Sequence, residues 1–493
     1  MFIEKIKSKL TDKNLYFIAL INIIFWGIYI KMEFATDSYR VFVVSIRETA
    51  THFIACGRFV TAFFSLFVHF FKFTHTAVYM LSYFSAVGCF TISMYKLFTI
   101  INKDIKKDWI SILLSTLIIL NIFSLELFMF IEKGVMAFSI LCIVIAIDYF
   151  IKFIEENKKK YIISSIVFML FANFSYQGTI ALFVAIAMIY VIKYSKNIQQ
   201  IFKNNILMAV VYVIPAFINF IMVRFMFKNS RVDGQYCFTE SLTKVFESTD
   251  DMLKNTFGII PKYLYVSLLA ITIFAMVLYI IINKKQSAKI KTVNIFYILY
   301  IILGVVISTI APQMLQNTSS IWFVPRSTYA FASLLGILIL FFMLSYKVTN
   351  KYFEKIFIVG SLLFLLIQFY NFQKIAIDHY ILNYEDKMVS MQINNIISEY
   401  EENTGNNVNK ISIYRDMYPS YTYKNLFVNR DINIKAYFPE WSIVPSLSYY
   451  SNRKFEVIEP KEEYIEEFNK DDWEYFDKYQ VKIEDDTLHL CLY

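Results

Sequence analysis

The chain has 493 residues, 57% of them hydrophobic, with a mean hydropathy of +0.49 and a formal charge of +8. So apolar a composition excludes a soluble globular protein of this length and leaves an integral membrane class. The positive charge does not argue for nucleic acid, because it is divided into clusters between apolar stretches instead of forming one basic face with aromatic platforms.

The start is basic (Lys5, Lys7, Lys9, Lys13) and leads into the apolar stretch Leu15–Ile30 without a small-residue cleavage signature, the pattern of an uncleaved signal-anchor. Ten more stretches follow, each nearly free of charge: Thr76–Phe98, Trp109–Phe123, Gly134–Phe153, Tyr161–Phe171, Gly178–Ile192, Ile206–Phe227, Tyr263–Ile282, Val293–Ile310, Ser327–Tyr346 and Ile356–Tyr370. Most approach the roughly 20 residues that a helix needs to cross a ~30 Å hydrocarbon core. Tyr161–Phe171 is the shortest and needs its polar flanks to complete a crossing. Lysines gather in alternate loops, at Lys103, Lys106 and Lys107, at Lys158–Lys160, at Lys193, Lys196 and Lys203, at Lys284–Lys291, and at Lys347, Lys351 and Lys355. The positive-inside rule then places the N-terminus in the cytoplasm and, after eleven crossings, the C-terminal tail outside. Gly57–Phe73 is apolar enough to span, but counting it would put the lysines of the Asp104–Asp108 loop outside. It reads as interfacial or re-entrant, with a helical hairpin against Thr76–Phe98 as the other option.

The tail changes character from Phe372. Asp378–Glu401 has helical spacing, with Ile381, Tyr384, Met388 and Met391 on one side and Asn383, Asp386 and Ser390 on another, although Ile393 and Ile397 fall toward the polar side. Asn403–Asn407 is rich in turn residues. Short β-like runs follow at Lys410–Tyr414, Ile432–Tyr437, Lys454–Ile458, Gln480–Ile483 and Leu488–Leu492. The expected fold is an all-α polytopic membrane protein of about eleven transmembrane helices, residues 1–373, followed by a small extracytoplasmic α/β domain, residues 374–493. The tail carries neither a Gly-rich phosphate loop nor the spacing of a catalytic triad, so accessory or acceptor-binding work is expected of it. The five cysteines show no metal or redox spacing. Cys237 and Cys491 fall on the same predicted side and are the pair that could form a disulfide.

Function must lie in the few polar residues retained beside apolar segments, where a charge costs several kcal/mol unless it is paired or solvated. The loop after the first span reads Glu33-Phe-Ala-Thr-Asp-Ser-Tyr-Arg40, then Arg47-Glu48, and leads to Gly57-Arg58. A carboxylate here can act as a general base toward a hydroxyl, and arginines can neutralise a phosphate through forked hydrogen bonds. The plainer reading is a solvated loop whose arginines meet lipid headgroups. Asn121, Glu126, Glu132 and Lys133 sit in NIFSLELFMFIEKG, and Glu126 is either packed against an arginine or bound to a sugar hydroxyl. Tyr176 and Gln177, at a break between spans, either hydrogen-bond a sugar or complete an ordinary interhelical turn. Arg326 follows Pro325 at the start of a span, where a cation is unfavourable to the helix dipole. It either attracts a bound anion or snorkels to the surface.

In order and spacing, TDSYR after the first helix, the GRF at Gly57, the Asn…Glu segment, Ser-Tyr-Gln and the late Pro-Arg resemble the Gtr-type serotype-converting glucosyltransferases of the GT-C superfamily. The resemblance covers about residues 15–415. It implies a polytopic enzyme that takes a hexose, usually glucose, from a polyprenyl-phosphate carrier outside the membrane and passes it to a hydroxyl of a surface polysaccharide or teichoic acid, with inversion. It further implies an essential acid in the first outside loop, which Asp37 matches. Relatives often carry two adjacent acids there, whereas Ser38 follows Asp37 here. Asp37, with Glu126, is then the expected catalytic acid. Arg40, Arg58 and Arg326 are the expected phosphate ligands, and Tyr176, Gln177 and Glu132 the sugar contacts. No cofactor is implied, and with a phosphomonoester leaving group, metal independence is expected. A transporter or flippase of lipid-linked sugar is the main alternative. It accounts for the spans but not for polar motifs on one face or a soluble tail. A structural envelope protein is a third option. The bias to Ile, Lys, Asn, Phe and Tyr is what an AT-rich bacterial genome would produce.

Overall fold

The computed structural model describes residues 11–226, 238–254, 259–282, 288–315, 321, 323–346, 351–415, 428, 431–468 and 476–492. Among these, nine helices are long and apolar enough to cross a membrane, from Lys13–Ile30 to the helix that contains Glu354–Thr404. The protein is a multi-pass membrane protein. Cys237, half of the disulfide considered above, lies outside the described residues. The chain divides into two compact units, one of residues 1–30, 50–128 and 132–373, the other of 31–49, 129–131 and 374–493.

Two of the eleven expected spans form shorter helices. Lys159–Ser175 has 17 residues, and takes in the polar flanks that its apolar centre required. Asp108–Ile119 has only 12 residues, about 18 Å, and stops before the apolar stretch ends. The reason is local. Asn121 Oδ1 accepts from the Phe123 amide at 2.9 Å and Asn121 O from Ser124 Oγ at 2.6 Å, which turns the chain. The carbonyls left open at the helix end are met by side chains from elsewhere in this unit. Ser333 Oγ donates to Ile118 O at 2.7 Å, Tyr329 OH to Ile119 O, and Gln368 Nε2 to Leu120 O at 2.6 Å. Irregular backbone at this position is stable because it is buried in protein with its polar groups satisfied. Within Gly57–Phe73, the helix Phe59–Phe70 has 12 residues, too few to cross alone. It buries Thr61, Ala62 and Ser65 and exposes Phe63, Leu66, Phe67 and Phe70.

The second unit holds a four-stranded sheet of order β2-β1-β4-β3, with β1 Lys410–Arg415, β2 Glu456–Val457, β3 Val481–Glu484 and β4 Thr487–Leu492. β1 runs parallel to both β2 and β4, from Lys410 opposite Thr487 to Arg415 opposite Leu492, while β3 and β4 form an antiparallel hairpin. The helix Glu440–Ser451 lies between β1 and β2 in sequence and packs Ile443 and Leu447 into a core with Ile393, Ile397, Ile411, Leu488 and Leu490.

Two expectations change here. Ile432–Tyr437 is not a strand: Asn433 adopts φ +59° and the Ala436 amide donates to Asp386 Oδ2 at 3.0 Å, so neither residue is available to a ladder. The helix over Asp378–Glu401 forms within the longer helix Lys351–Thr404, but the face that reads as apolar is the exposed one. Ile381, Tyr384, Met388 and Met391 are exposed, whereas Asn383, Asp386, Ser390, Ile393 and Ile397 are buried.

Candidate functional site

Six of the eight residues expected to form a site lie in the first unit, and they occur as partnered groups. Glu126, in the short helix Ser124–Leu127, has 0% exposure. Its Oε2 accepts from the Arg326 amide at 2.6 Å, and its Oε1 is ion-paired with the Arg326 guanidinium. Of the two readings of Glu126, the structure shows packing against an arginine, and the anion beside Arg326 is this carboxylate. Arg326 itself sits in the turn Pro325–Thr328. That turn presses against Gln177–Thr179 so closely that a Cβ at Gly178 would come within 2.5 Å of Arg326 O.

Gln177 faces the other way. Its Nε2 donates to Gly57 O at 2.9 Å and to Cys56 O at 3.2 Å. Asn219 Nδ2 also donates to Gly57 O at 2.9 Å, and Gly57 holds φ +72°. Next to it, Arg58 reaches Glu132 at 3.6 Å and lies over the Tyr176 ring at 4.9 Å from its centroid. Lys133 lies 3.9 Å above the Tyr79 ring. Four short motifs, GR at Gly57, LEL at Glu126, YQG at Tyr176 and PR at Pro325, therefore meet through one chain of close contacts. In a low-dielectric interior each of the two carboxylates is stabilised by its guanidinium partner, and the buried Lys133 ammonium adds one further positive charge over the Tyr79 ring.

The remaining two, Asp37 and Arg40, lie in the second unit on the helix Thr36–Val43, one turn apart and both exposed. The face beneath them is buried and anchored. Ser38 Oγ accepts from the Ile131 amide at 3.2 Å, and Tyr39 OH is 2.9 Å from Tyr450 OH and 3.3 Å from Asn383 Oδ1. Asn383 clamps the chain before this helix, accepting from the Phe34 amide at 2.8 Å and donating to Phe34 O at 3.1 Å. Burial, then the charge field of Tyr450 and Asp386, pushes the Tyr39 hydroxyl well above its ordinary range, so it stays protonated. Trp441 Nε1 donates to Asp37 Oδ1 at 2.9 Å, while among the described residues Oδ2 meets no donor. The result is a carboxylate at the surface of a rigid helix, oriented by one donor and open on its other oxygen. Such a group can accept a proton. Trp441, Asn383 and Tyr450 escape sequence reasoning. The signal for Trp441 was a single tryptophan directly after Pro439-Glu440, a helix start in a stretch that otherwise reads as loop.

A protein-family model described as glucosyl transferase GtrII matches residues 28–328, about three fifths of the 493-residue chain. The chain belongs to the glucosyl transferase GtrII family. It is therefore a membrane glycosyltransferase by family, as the resemblance in its motifs implied. The matched segment contains all eight residues expected at the site and stops before the sheet and Trp441. No curated protein and no solved structure matches the chain.

Proposed function

We propose that this chain moves glucose from a polyprenyl-phosphate carrier to a hydroxyl of a surface glycan on the outer side of the bacterial cytoplasmic membrane. The observation that carries the reading is Asp37, an exposed carboxylate on a braced helix with one oxygen held by Trp441 and the other open. Asp37 takes the proton of the acceptor hydroxyl as its oxygen attacks the anomeric carbon. The bond from that carbon to the carrier phosphate breaks, the configuration inverts, and polyprenyl phosphate leaves. Arg40, on the same exposed face, meets the phosphate charge. In this reading Arg58 and Arg326 maintain the first unit through Glu132 and Glu126, with Tyr176 and Gln177 tying their two turns together. Sidedness is supported by the alternation of lysine-rich loops. Protease added to intact spheroplasts should then remove the tail.

The decisive variant is Asp37→Asn, which preserves size and the Trp441 contact but cannot take a proton. Glycan analysis of cells that carry it should show transfer reduced at least a hundredfold with the protein inserted and folded. Activity within about tenfold of wild type would remove Asp37 from proton transfer.

A further inference from the structure

The second unit contains a cleft of about 870 Å³ whose walls come from the end of the Thr36–Val43 helix and the residues after it, the helix Glu440–Ser451, and the strands β1 and β2. Its volume is within the range that encloses small-molecule ligands. Its lining mixes charges of both signs, Glu48, Glu440 and Glu459 against Arg415 and Lys454, with apolar surface from Val43, Val444 and Phe455. Hydroxyl groups donate and accept at once, and the CH faces of a sugar ring pack on apolar side chains. A wall that alternates carboxylates, cations and aliphatic patches matches both properties.

Two further observations connect the cleft to Asp37. Val43 lines it and stands six residues after Asp37 on one helix, about 9 Å along the axis. Trp441, 55% exposed and bonded to Asp37, shares a helix face with Pro445 and Ser448, which also line the cleft. An exposed indole at this point offers a stacking surface between the cleft and the carboxylate. With three carboxylates to two cations, the lining does not favour a polyanion.

We infer that this cleft binds the acceptor glycan, as a run of uncharged sugar residues that leads to the hydroxyl at Asp37. The inference rests on the transferase reading above and adds where the acceptor lies and what charge it carries. A neutral polysaccharide fits, and a phosphate-linked chain of the teichoic type does not.

The test uses the full-length protein in detergent. The acceptor is delipidated surface polysaccharide from the producing strain with this gene deleted, and the donor is polyprenyl-phosphate glucose. Ser448→Trp fills the cleft, and Glu440→Ala removes an exposed hydrogen-bonding group without disturbing the core. The KM for the polysaccharide should rise about tenfold in Ser448→Trp and about threefold in Glu440→Ala, with the donor KM within twofold of wild type. Calorimetric binding of the polysaccharide without donor should weaken in parallel. Poly(glycerol phosphate) should not compete. Equal competition by that polyanion, or an unchanged acceptor KM and unchanged binding in Glu440→Ala, overturns the cleft while leaving the transferase reading intact. Wild-type protein that transfers no sugar from this donor overturns the transferase reading instead, and glycan binding is then read from calorimetry alone.

Discussion

The two units handle charge in opposite ways. In the first, the buried Glu126 and Arg326 neutralise one another, and half-buried Arg58 pairs with Glu132. In the second, Asp37 and Arg40 are exposed, and the surrounding hydrogen bonds position the helix without consuming Asp37 Oδ2. Residues of the same types, equally suggestive in sequence, thus stand in different environments. In the reading proposed above, a buried, matched pair maintains structure, whereas an oriented and open carboxylate is available for chemistry.

After the loss of transfer predicted for Asp37→Asn, the sharpest contrast comes from Arg326→Ala. It leaves a buried carboxylate without its partner and should cost about 3–5 kcal/mol of stability, read as lower unfolding resistance in detergent. Replacing both residues, Glu126→Gln with Arg326→Met, should recover much of that loss. If Arg326→Ala stays fully stable and loses only turnover, the division between the two units fails.

The pH dependence isolates the second unit. Asp386 belongs to the 54-residue helix Lys351–Thr404 but lies 16 residues beyond its apolar Ile356–Tyr370 segment, outside the membrane-spanning part. Burial raises its carboxyl to about 7, against the opposing effects of the Ala436 amide and Lys435. The unfolded carboxyl titrates at about 3.9. Between these values the folded state retains a proton that the unfolded chain has released. The contribution of this group is therefore complete below about pH 4, falls by about 1.4 kcal/mol per pH unit as pH rises, and is lost once pH passes about 7. Unfolding measured from pH 4 to 8 should show this slope in wild type and a flatter one in Asp386→Asn.

Gly178→Ala should cost about 1–3 kcal/mol, because the new methyl would meet backbone at Arg326 O and one of the two turns must shift. Thermal unfolding of the full chain checks it. The smallest effect is that of Trp441→Phe. Without the indole donor Asp37 Oδ1 loses the contact that orients it, and kcat should fall about threefold with the acceptor KM little changed. An unchanged kcat would mean that Trp441 does not act through Asp37.

Much of the architecture was legible because apolar runs of membrane length have few alternative structures. Where the reading failed, the cause was a partner far away in sequence. Nothing in Trp109–Phe123 announces that Ser333, Tyr329 and Gln368 will receive its last carbonyls. The Asp378–Glu401 helix was turned inside out because its buried face carries Asn383, Asp386 and Ser390, each satisfied only in the fold: Asn383 by Phe34, Asp386 by the Ala436 amide, Ser390 by Tyr437. At the site, the residue types stood out in sequence and the partnerships did not. Glu126 could be seen as costly, but that its relief comes from Arg326, 200 residues away, could not.

That early helix end has a consequence for biogenesis. The Asp108–Ile119 segment leaves the ribosome more than two hundred residues ahead of the three side chains that close its carbonyl end. Until Tyr329, Ser333 and Gln368 arrive, those carbonyls must be shielded by water, by lipid headgroups or by the insertion machinery, since hydrocarbon offers no donor. The segment can enter the membrane early, yet it reaches its final form only when nearly the whole membrane-embedded chain has been made.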